Sequence, residues 1–159
     1  MDDLAILAVN SLRTFVQSLV GTATVPSLQT TVIVSPVRIT PTGLGGFVDL
    51  NVDPIGDIVG RRVDALVSVL AEMPTAAALT EASSAIIQAL LTAGRKTLVE
   101  GGIQRLVFVD AKPTASQTKP DGSVVATREI SFEVLFEFLK HPEDPEDVIS
   151  EIPLNLTVS

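Results

Sequence analysis

The most regular alternation of apolar and polar positions lies in residues 128–140, REISFEVLFEFLK. Because successive side chains of a strand point to opposite faces, this pattern predicts a strand with one fully apolar face. The positions predicted to face a core are Ile130, Phe132, Val134, Phe136 and Phe138, and the other face carries Ser131, Glu133, Leu135 and Glu137. We expect this strand to be the central and best buried strand of a sheet.

Four further segments show a strand pattern, at residues 30–40, 47–53, 59–72 and 103–110. Pro36 interrupts the first of them and has no N–H to donate, so it predicts a sheet edge or a bulge. The glycine-rich segment PTGLGG before Phe47 predicts a turn that joins the first two strands as a hairpin. A polar loop is expected over residues 111–127, where charged and small residues replace the alternation.

Two segments follow the helical period instead. Residues 2–20 predict an amphipathic helix, with acidic residues at its positive N-terminal end. A second helix is expected from about Thr75 to Ala93, where Gly94 closes or kinks it and Arg95 and Lys96 follow as basic residues at its C-terminal end. Residues 142–159 predict one or two helical turns and a last short strand.

The predicted fold class is α+β, because these elements form a mixed, mostly antiparallel sheet of five to six strands packed by two main helices. The chain of 159 residues suits a single domain over 1–159, with an N-terminal helix at 2–20 and a sheet and helix core at 29–159. No internal repeat and no linker divides it.

Composition and charge narrow the function. The 11 basic residues are outnumbered by 19 acidic ones, and the net charge of -8 opposes attraction to nucleic acid or to an anionic membrane. The sequence has no cysteine, so it offers no disulfide or thiolate chemistry. No apolar run approaches the ~20 residues of a membrane span, and two acids occupy the N-terminus where a secretory signal carries basic residues. We therefore expect a cytoplasmic protein.

Candidate chemistry is sparse. A single histidine, His141, and no cysteine offer no tetrahedral zinc site, and no serine is marked as a nucleophile. The acidic segment HPEDPEDVISE lacks the ligand spacing and the central glycine of a calcium loop, so we interpret it as a solvated, helix-capping turn. Glu133 and Glu137 are four residues apart on one strand, about 13 to 14 Å, too far for a catalytic carboxylate pair. We expect neither an enzyme nor a bound cofactor.

Four segments taken together carry a family resemblance: GRRVDALVSVLAE, ALTEASSAIIQALL, GRKTLVEGGIQRLVFVDA and REISFEVLFEFLKHPEDPEDVISEIPLNL. From about residue 29 to the end, their succession resembles the tail terminator, or tail completion, proteins of tailed phages and related contractile particles. The resemblance implies a small subunit that forms a ring, usually a hexamer, which caps the tail tube and joins it to the neck. The implied partners are copies of the chain, the tube protein and a neck or sheath protein. The implied location is the host cytoplasm during assembly, then the tail of the particle.

Candidate interaction residues follow from this implication together with the strand pattern. The second face of the sheet carries Leu135 with Leu66 and Leu139 among charges, and a ring would cover such a patch. Protruding loops on a rigid scaffold commonly carry binding, which selects Lys112, Lys119 and Asp121 in the polar loop and Leu44 at the tip 41–46. These loops are equally compatible with plain solvent-facing connectors. Arg61 and Arg62 either pair with a neighbouring subunit or mark the solvated start of their strand.

Two other classes of function stay open at this point. Another structural subunit of the same particle, in the neck, the baseplate or the tube, would differ from a terminator only by its position in the assembly. A small-ligand-binding α/β domain would need a concave pocket with converging polar groups.

Overall fold

A computed structural model of the chain describes residues 2–43, 47–52 and 55–141. The elements expected in residues 142–159 and the candidate Leu44 lie outside this described part.

In this described part, three helices and six strands form an α+β fold, as the sequence predicts. The helices are α1 (Asp3–Gly21), α2 (Ala76–Leu91) and α3 (Arg95–Glu100). The strands are β1 (Gln29–Pro41), β2 (Phe47–Val52), β3 (Ile55–Met73), β4 (Ile103–Ala111), β5 (Ala115–Thr118) and β6 (Val124–Lys140).

The six strands form one sheet whose main path runs β1-β3-β6-β4. β2 pairs with β3, and β5 pairs with β6, at opposite ends of this path. Every described pairing is antiparallel. The two longest strands, β3 and β6, therefore form the centre of the sheet, and the shorter strands pair with their outer edges.

β6 is the central strand that the alternation predicts. It pairs with β3 on one side and with β4 and β5 on the other. Its inward side chains Ile130, Phe132, Val134 and Phe136 are buried, and they meet the buried Val63, Ala65, Val67 and Val69 of β3 in register. The Phe132 ring also contacts that of Phe108 edge to face, with centroids 5.8 Å apart. This aliphatic and aromatic layer is the middle of the core.

Both long helices pack on the same face of the sheet. α1 lies over β1 and β3, α2 lies over β3, β6 and β4, and the two helices contact each other. Side-chain caps begin both helices: Asp2 accepts a hydrogen bond of 2.6 Å from the Ala5 N–H, and Thr75 accepts one of 3.2 Å from the Ala78 N–H. The caps confirm the predicted starts of both helices.

α1 is long and strongly apolar. Its 19 residues and mean hydropathy of 1.4 satisfy, by length and composition, what a membrane span requires. The core helix of a folded domain meets the same requirement, and α1 buries seven residues in the fold, namely Ala5, Ala8, Val9, Leu12, Val16, Leu19 and Val20.

Pro36 lies where its missing N–H predicts. β1 is an edge strand of the main path, and its register against β3 shifts between Pro36 and Arg38. Both the edge and the bulge are therefore present, which relieves the sheet of a ladder hydrogen bond that proline cannot make.

The hairpin predicted between the first two strands is wrong. β1 and β2 do not pair with each other but lie end to end along β3, with β2 on residues Ile55–Val59 and β1 on residues Arg61–Glu72. β3, with 19 residues, is longer than β1, with 13, and so leaves room for a second partner. Only two residues connect Val52 to Ile55, and this tight link favours the β2–β3 hairpin over one closed by residues 42–46.

Two boundaries also differ from expectation. β3 begins at Ile55, so Arg61 and Arg62 lie inside the strand rather than at its start. α2 ends at Leu91, and Gly94 is the N-cap of the additional helix α3, so Arg95 and Lys96 open a new helix instead of closing the previous one. The extended backbone of Gly94, with ψ 141°, breaks the helical path and allows this restart.

The polar loop expected over residues 111–127 contains the strand β5. β5 pairs with the first residues of β6, and the turn is closed by hydrogen bonds from the Lys119 N–H to the Ser123 carbonyl (2.8 Å) and from the Gly122 N–H to the Lys119 carbonyl (2.9 Å). All four β5 side chains are exposed. The strand has no apolar face to bury, and so the hydrophobic pattern gives no sign of it.

Candidate interaction surface

The face of the sheet opposite α1 and α2 is here called the open face, because no described helix packs on it. It carries apolar side chains on four strands. Five of them are between 36% and 43% exposed, namely Ile33, Leu66, Leu70, Val107 and Leu139. The candidate Leu135 lies in the same face and is half-buried. The sequence prediction of a half-apolar second face is confirmed in the described part of the chain.

Ion pairs cross the strands of the open face. Arg62 on β3 lies 3.6 Å from Glu137 on β6, and Lys112, just after β4, lies 2.8 Å from Glu129 on β6. The hydrogen bond from Lys112 lowers the pKa of Glu129, with a further contribution from Ser68, and the same bond raises the pKa of Lys112. Both candidates, Arg62 and Lys112, are thus engaged within their own chain.

A polar pair sits in the middle of this face. Ser68 and Ser131 lie opposite each other on β3 and β6, with hydroxyl oxygens 3.4 Å apart, and both residues are buried. Both serine side chains are small. The leucines that flank Ser68 on β3, Leu66 and Leu70, are more exposed and project farther from the sheet. The open face therefore has protruding apolar side chains with a shallow polar region between them.

Arg61 points to the other side of the sheet. Its guanidinium donates to Asp2 at 3.1 Å and to the Gly60 carbonyl at 2.8 Å, so it links β3 to the start of α1. The hydrogen bond from the Ala5 N–H, and then the one from Arg61, lower the pKa of Asp2. Arg61 and Arg62, neighbours in sequence, therefore lie on opposite faces and do not form one site.

The two candidates in the β5–β6 turn are also tied within the chain. Lys119 lies 2.6 Å from Glu72 at the end of β3. Asp121 accepts hydrogen bonds from the N–H (2.9 Å) and the hydroxyl (2.6 Å) of Ser123, which lower its pKa. The turn is thus fastened to the sheet, and its charged residues have a structural role whether or not they also bind a partner.

A projecting hairpin is the first feature that the sequence prediction missed. β2 and the first five residues of β3 extend past Lys140, the last residue of β6, which pairs with Val59. We call this two-stranded projection, residues 47–52 and 55–59, the arm. Phe47, Val48 and Leu50 are exposed on it, with Leu50 at 56%. Its signal in the sequence was the short link DP between two apolar alternations.

A groove beside α3 is the second missed feature. It has a volume of about 420 Å³ and lies between the end of α2, α3 and the start of β4. Seven apolar residues line it, namely Leu90, Leu91, Ala93, Leu98, Val99, Ile103 and Leu106, together with Arg95, Arg105 and Gln104. No carboxylate is among the described residues that line this α3 groove. It could not be predicted because α3 itself was not predicted.

The other depressions offer less chemistry. One of about 570 Å³, between the C-terminal ends of α1 and α2, is lined by alanines, threonines and other uncharged residues such as Gln88. Among residues 2–43, 47–52 and 55–141, no group of three or more histidines or carboxylates is placed to hold a metal ion. His141 is exposed at the end of β6.

Comparison with known proteins adds no identification: the chain matches no protein-family model and no curated protein.

Proposed function

We propose that this chain is a structural assembly subunit that forms a ring, caps a tail tube and joins it to the neck, as tail terminators do. The observation that carries this proposal is the open face. The sheet presents six apolar side chains there, five of them partly exposed and Leu135 half-buried, and a monomer of this size normally covers or avoids an extended apolar patch.

Charges on the open face favour a specific partner over non-specific adhesion. Asp64 and Glu133 lie among the leucines and form no ion pair within the described part of the chain. Groups of this kind reject partners that do not offer a complementary charge. The face therefore combines apolar contact area, which stabilises an interface, with charges that select its occupant.

The resemblance to tail terminators supports the choice of assembly. Each of the segments that carry it coincides at least in part with a described element: β3, α2, α3 with β4, and β6. The expected partners are further copies of the chain, the tube protein and a neck or sheath protein. The chain's function would then be surface complementarity, with no cofactor and no chemical step.

Electron microscopy tests this proposal directly. The purified chain is mixed with tubes assembled from the tube protein of the same genome, and rings are expected at tube ends. Leu66→Glu combined with Leu70→Glu should abolish the end caps. The matched control Ser84→Glu, on the exposed side of α2, should leave them intact.

Three outcomes of that experiment contradict the proposal. Decoration along the whole tube would indicate a sheath or tube subunit of the same particle. Unaltered caps with the Leu66 and Leu70 variant would exclude the open face as the docking surface. Tubes without any bound chain would reject the terminator function altogether.

A further inference from the structure

We propose that the arm of one copy inserts into the α3 groove of the next copy, so that the chain joins head to tail. This inference rests on the proposed self-assembly and names the contact between neighbouring copies that would form the ring. It commits to a second copy of this chain as the occupant of the groove.

The arm has an acidic and apolar surface. Residues 42–60 contain three aspartates, Asp49, Asp53 and Asp57, and no basic residue. Phe47 pairs with Val59 and Leu50 pairs with Asp57, so these four side chains project from the same side of the arm. Asp57 is exposed and has no ion pair within the described residues. One side of the arm therefore presents two large apolar groups beside a free carboxylate.

The α3 groove has the opposite charge. Arg95 lines it and forms no ion pair in residues 2–43, 47–52 and 55–141. Arg105 also borders the groove, but it pairs with Leu135 of β6, so its side chain projects to the open face. Leu91 and Val99 on its rim are 48% and 55% exposed, unusually open for aliphatic side chains. In a chain with a net charge of -8, a groove with an arginine and no carboxylate among its described lining residues favours an acidic, apolar occupant.

The arm and the groove lie on opposite edges of the sheet. β2 is on the side of β3 that faces away from β6, whereas β4 is on the far side of β6. Both are near the same end, since Val59 pairs with Lys140 and Ile103 pairs with Phe136 on β6. The ladder to β3 holds the arm away from the groove of its own chain, so the contact must join two copies.

Such a contact is heterologous, because two different patches of the same chain meet. Repeating a heterologous contact generates a closed ring when the rotation between copies closes, and a filament otherwise. The placement of the arm and the groove at one level of the sheet, on opposite edges, is what a flat ring of side-by-side subunits requires. The open face is not used in this contact and stays free for the tube or the neck.

Disulfide trapping tests the contact, since the natural chain contains no cysteine. The double variants Leu50→Cys with Val99→Cys, and Leu50→Cys with Leu91→Cys, place one thiol on the arm and one on the groove rim. A matched control, Leu50→Cys with Leu66→Cys, places the second thiol on the open face instead. Oxidation of concentrated protein should convert at least one of the first two into a ladder of covalent oligomers and leave the control monomeric.

A charge reversal tests whether the cross-linking depends on the proposed contact between arm and groove. Asp57→Arg added to the better arm and groove pair should abolish the ladder, because the new guanidinium faces Arg95. Restoring opposite charge with Arg95→Asp in the same chain should bring the ladder back. A vesicle or a tube is not needed, and circular dichroism of each variant checks that the fold is intact.

The outcomes separate this inference from the proposed function. No ladder in either arm and groove pair, an equal ladder in the control, or a ladder that ignores the charge reversal overturns the inference. If the unmodified chain still forms rings on tube ends in that case, the proposed function stands with another contact. If the acidic segment 143–151 occupied the groove instead, the cysteine pairs would remain uncrosslinked, which also overturns the inference.

Discussion

The ammonium nitrogen of Lys119 lies 2.6 Å from a carboxylate oxygen of Glu72, and this ion pair fastens the turn of the β5–β6 hairpin to the last residues of β3. The two side chains are 34% and 25% exposed, so the pair is partly shielded from water. A segment that the sequence suggests to be a free loop is in this way made a rigid extension of the sheet.

Lys119→Glu should therefore loosen the hairpin without unfolding the protein. The change replaces the ion pair by two facing carboxylates and should cost about 1 kcal/mol of unfolding free energy. Hydrogen exchange of the β5 amides should become faster. Lys96→Glu is the matched control, since Lys96 and Glu100 are 3.9 Å apart and 88% and 66% exposed, and it should change neither quantity. Equal protection of β5 in both variants would contradict the fastening role.

Phe136 and Leu135 are neighbours on β6 with opposite environments, and aspartate at each should have very different effects. Phe136 is buried under the helices, so Phe136→Asp places a carboxylate in the core and should cost more than about 4 kcal/mol, enough to unfold the subunit. Leu135→Asp faces the open side and should leave the fold intact at a cost of about 1 to 2 kcal/mol. Circular dichroism of both variants is the test, and a folded Phe136→Asp protein would remove the assignment of β6 as the central buried strand.

Gly102 is required by the backbone that connects α3 to β4. It has φ +98°, and an added Cβ would lie 2.6 Å from the Glu137 carbonyl oxygen and 2.7 Å from the Phe136 ring. Gly102→Ala should destabilise the protein by about 1 to 3 kcal/mol, because neither the backbone nor the buried ring can move away freely.

Gly21→Ala is the control for that substitution. Gly21 ends α1 with open space where a Cβ would lie, so alanine should be neutral or stabilising by up to about 1 kcal/mol. Urea denaturation of both variants measures the difference. Similar midpoints for the two would mean that the connection at Gly102 tolerates a side chain.

Acid should weaken the attachment of α1 through Asp2. The pKa of Asp2 is lowered in the folded protein, first by the Ala5 N–H and then by Arg61, so its stabilising contribution is present above the ordinary aspartate pKa of about 4. That contribution is lost as the pH falls through the lower pKa of the folded state. Asp2→Asn keeps a capping side chain but removes the charge, and should be less stable than the natural chain at pH 7 while the gap closes towards pH 2.

Urea midpoints of both proteins across this pH range measure the effect. Glu129→Gln should behave similarly, because the hydrogen bond from Lys112 lowers the pKa of Glu129. This pair lies on the open face, on the opposite side of the sheet from Asp2. A constant difference between Asp2→Asn and the natural chain at all pH values would show that the charge of Asp2 has no role.

The parts of the fold that hydrophobic burial dictates were predictable from the sequence. The alternation along β6 predicted its inward set, and the helical spacing that begins near Thr75 predicted α2, because these burial patterns are local in sequence. Pro36 gave the edge and the bulge of β1, because its missing N–H constrains pairing directly.

The parts that depend on pairing choices were not predictable. β2 carries the same pattern whether it pairs with β1 or with β3, and only the lengths of the strands and of the connecting links decide between them. β5 has no apolar face, and α3 buries no residue, so neither leaves a hydrophobic signal. The arm arises from the unpredicted pairing of β2 with β3, and the α3 groove arises from the unpredicted helix α3. The open face follows from the alternation and was expected.

Native mass spectrometry of the full chain over a concentration series tests the central claim, that this protein acts by docking against copies of itself, most directly. The account predicts one discrete assembly of fixed copy number, six on the resemblance to tail terminators, which dissociates when Arg95 is changed to aspartate. A monomer at every concentration, or an open-ended series of oligomers with no preferred size, would contradict it.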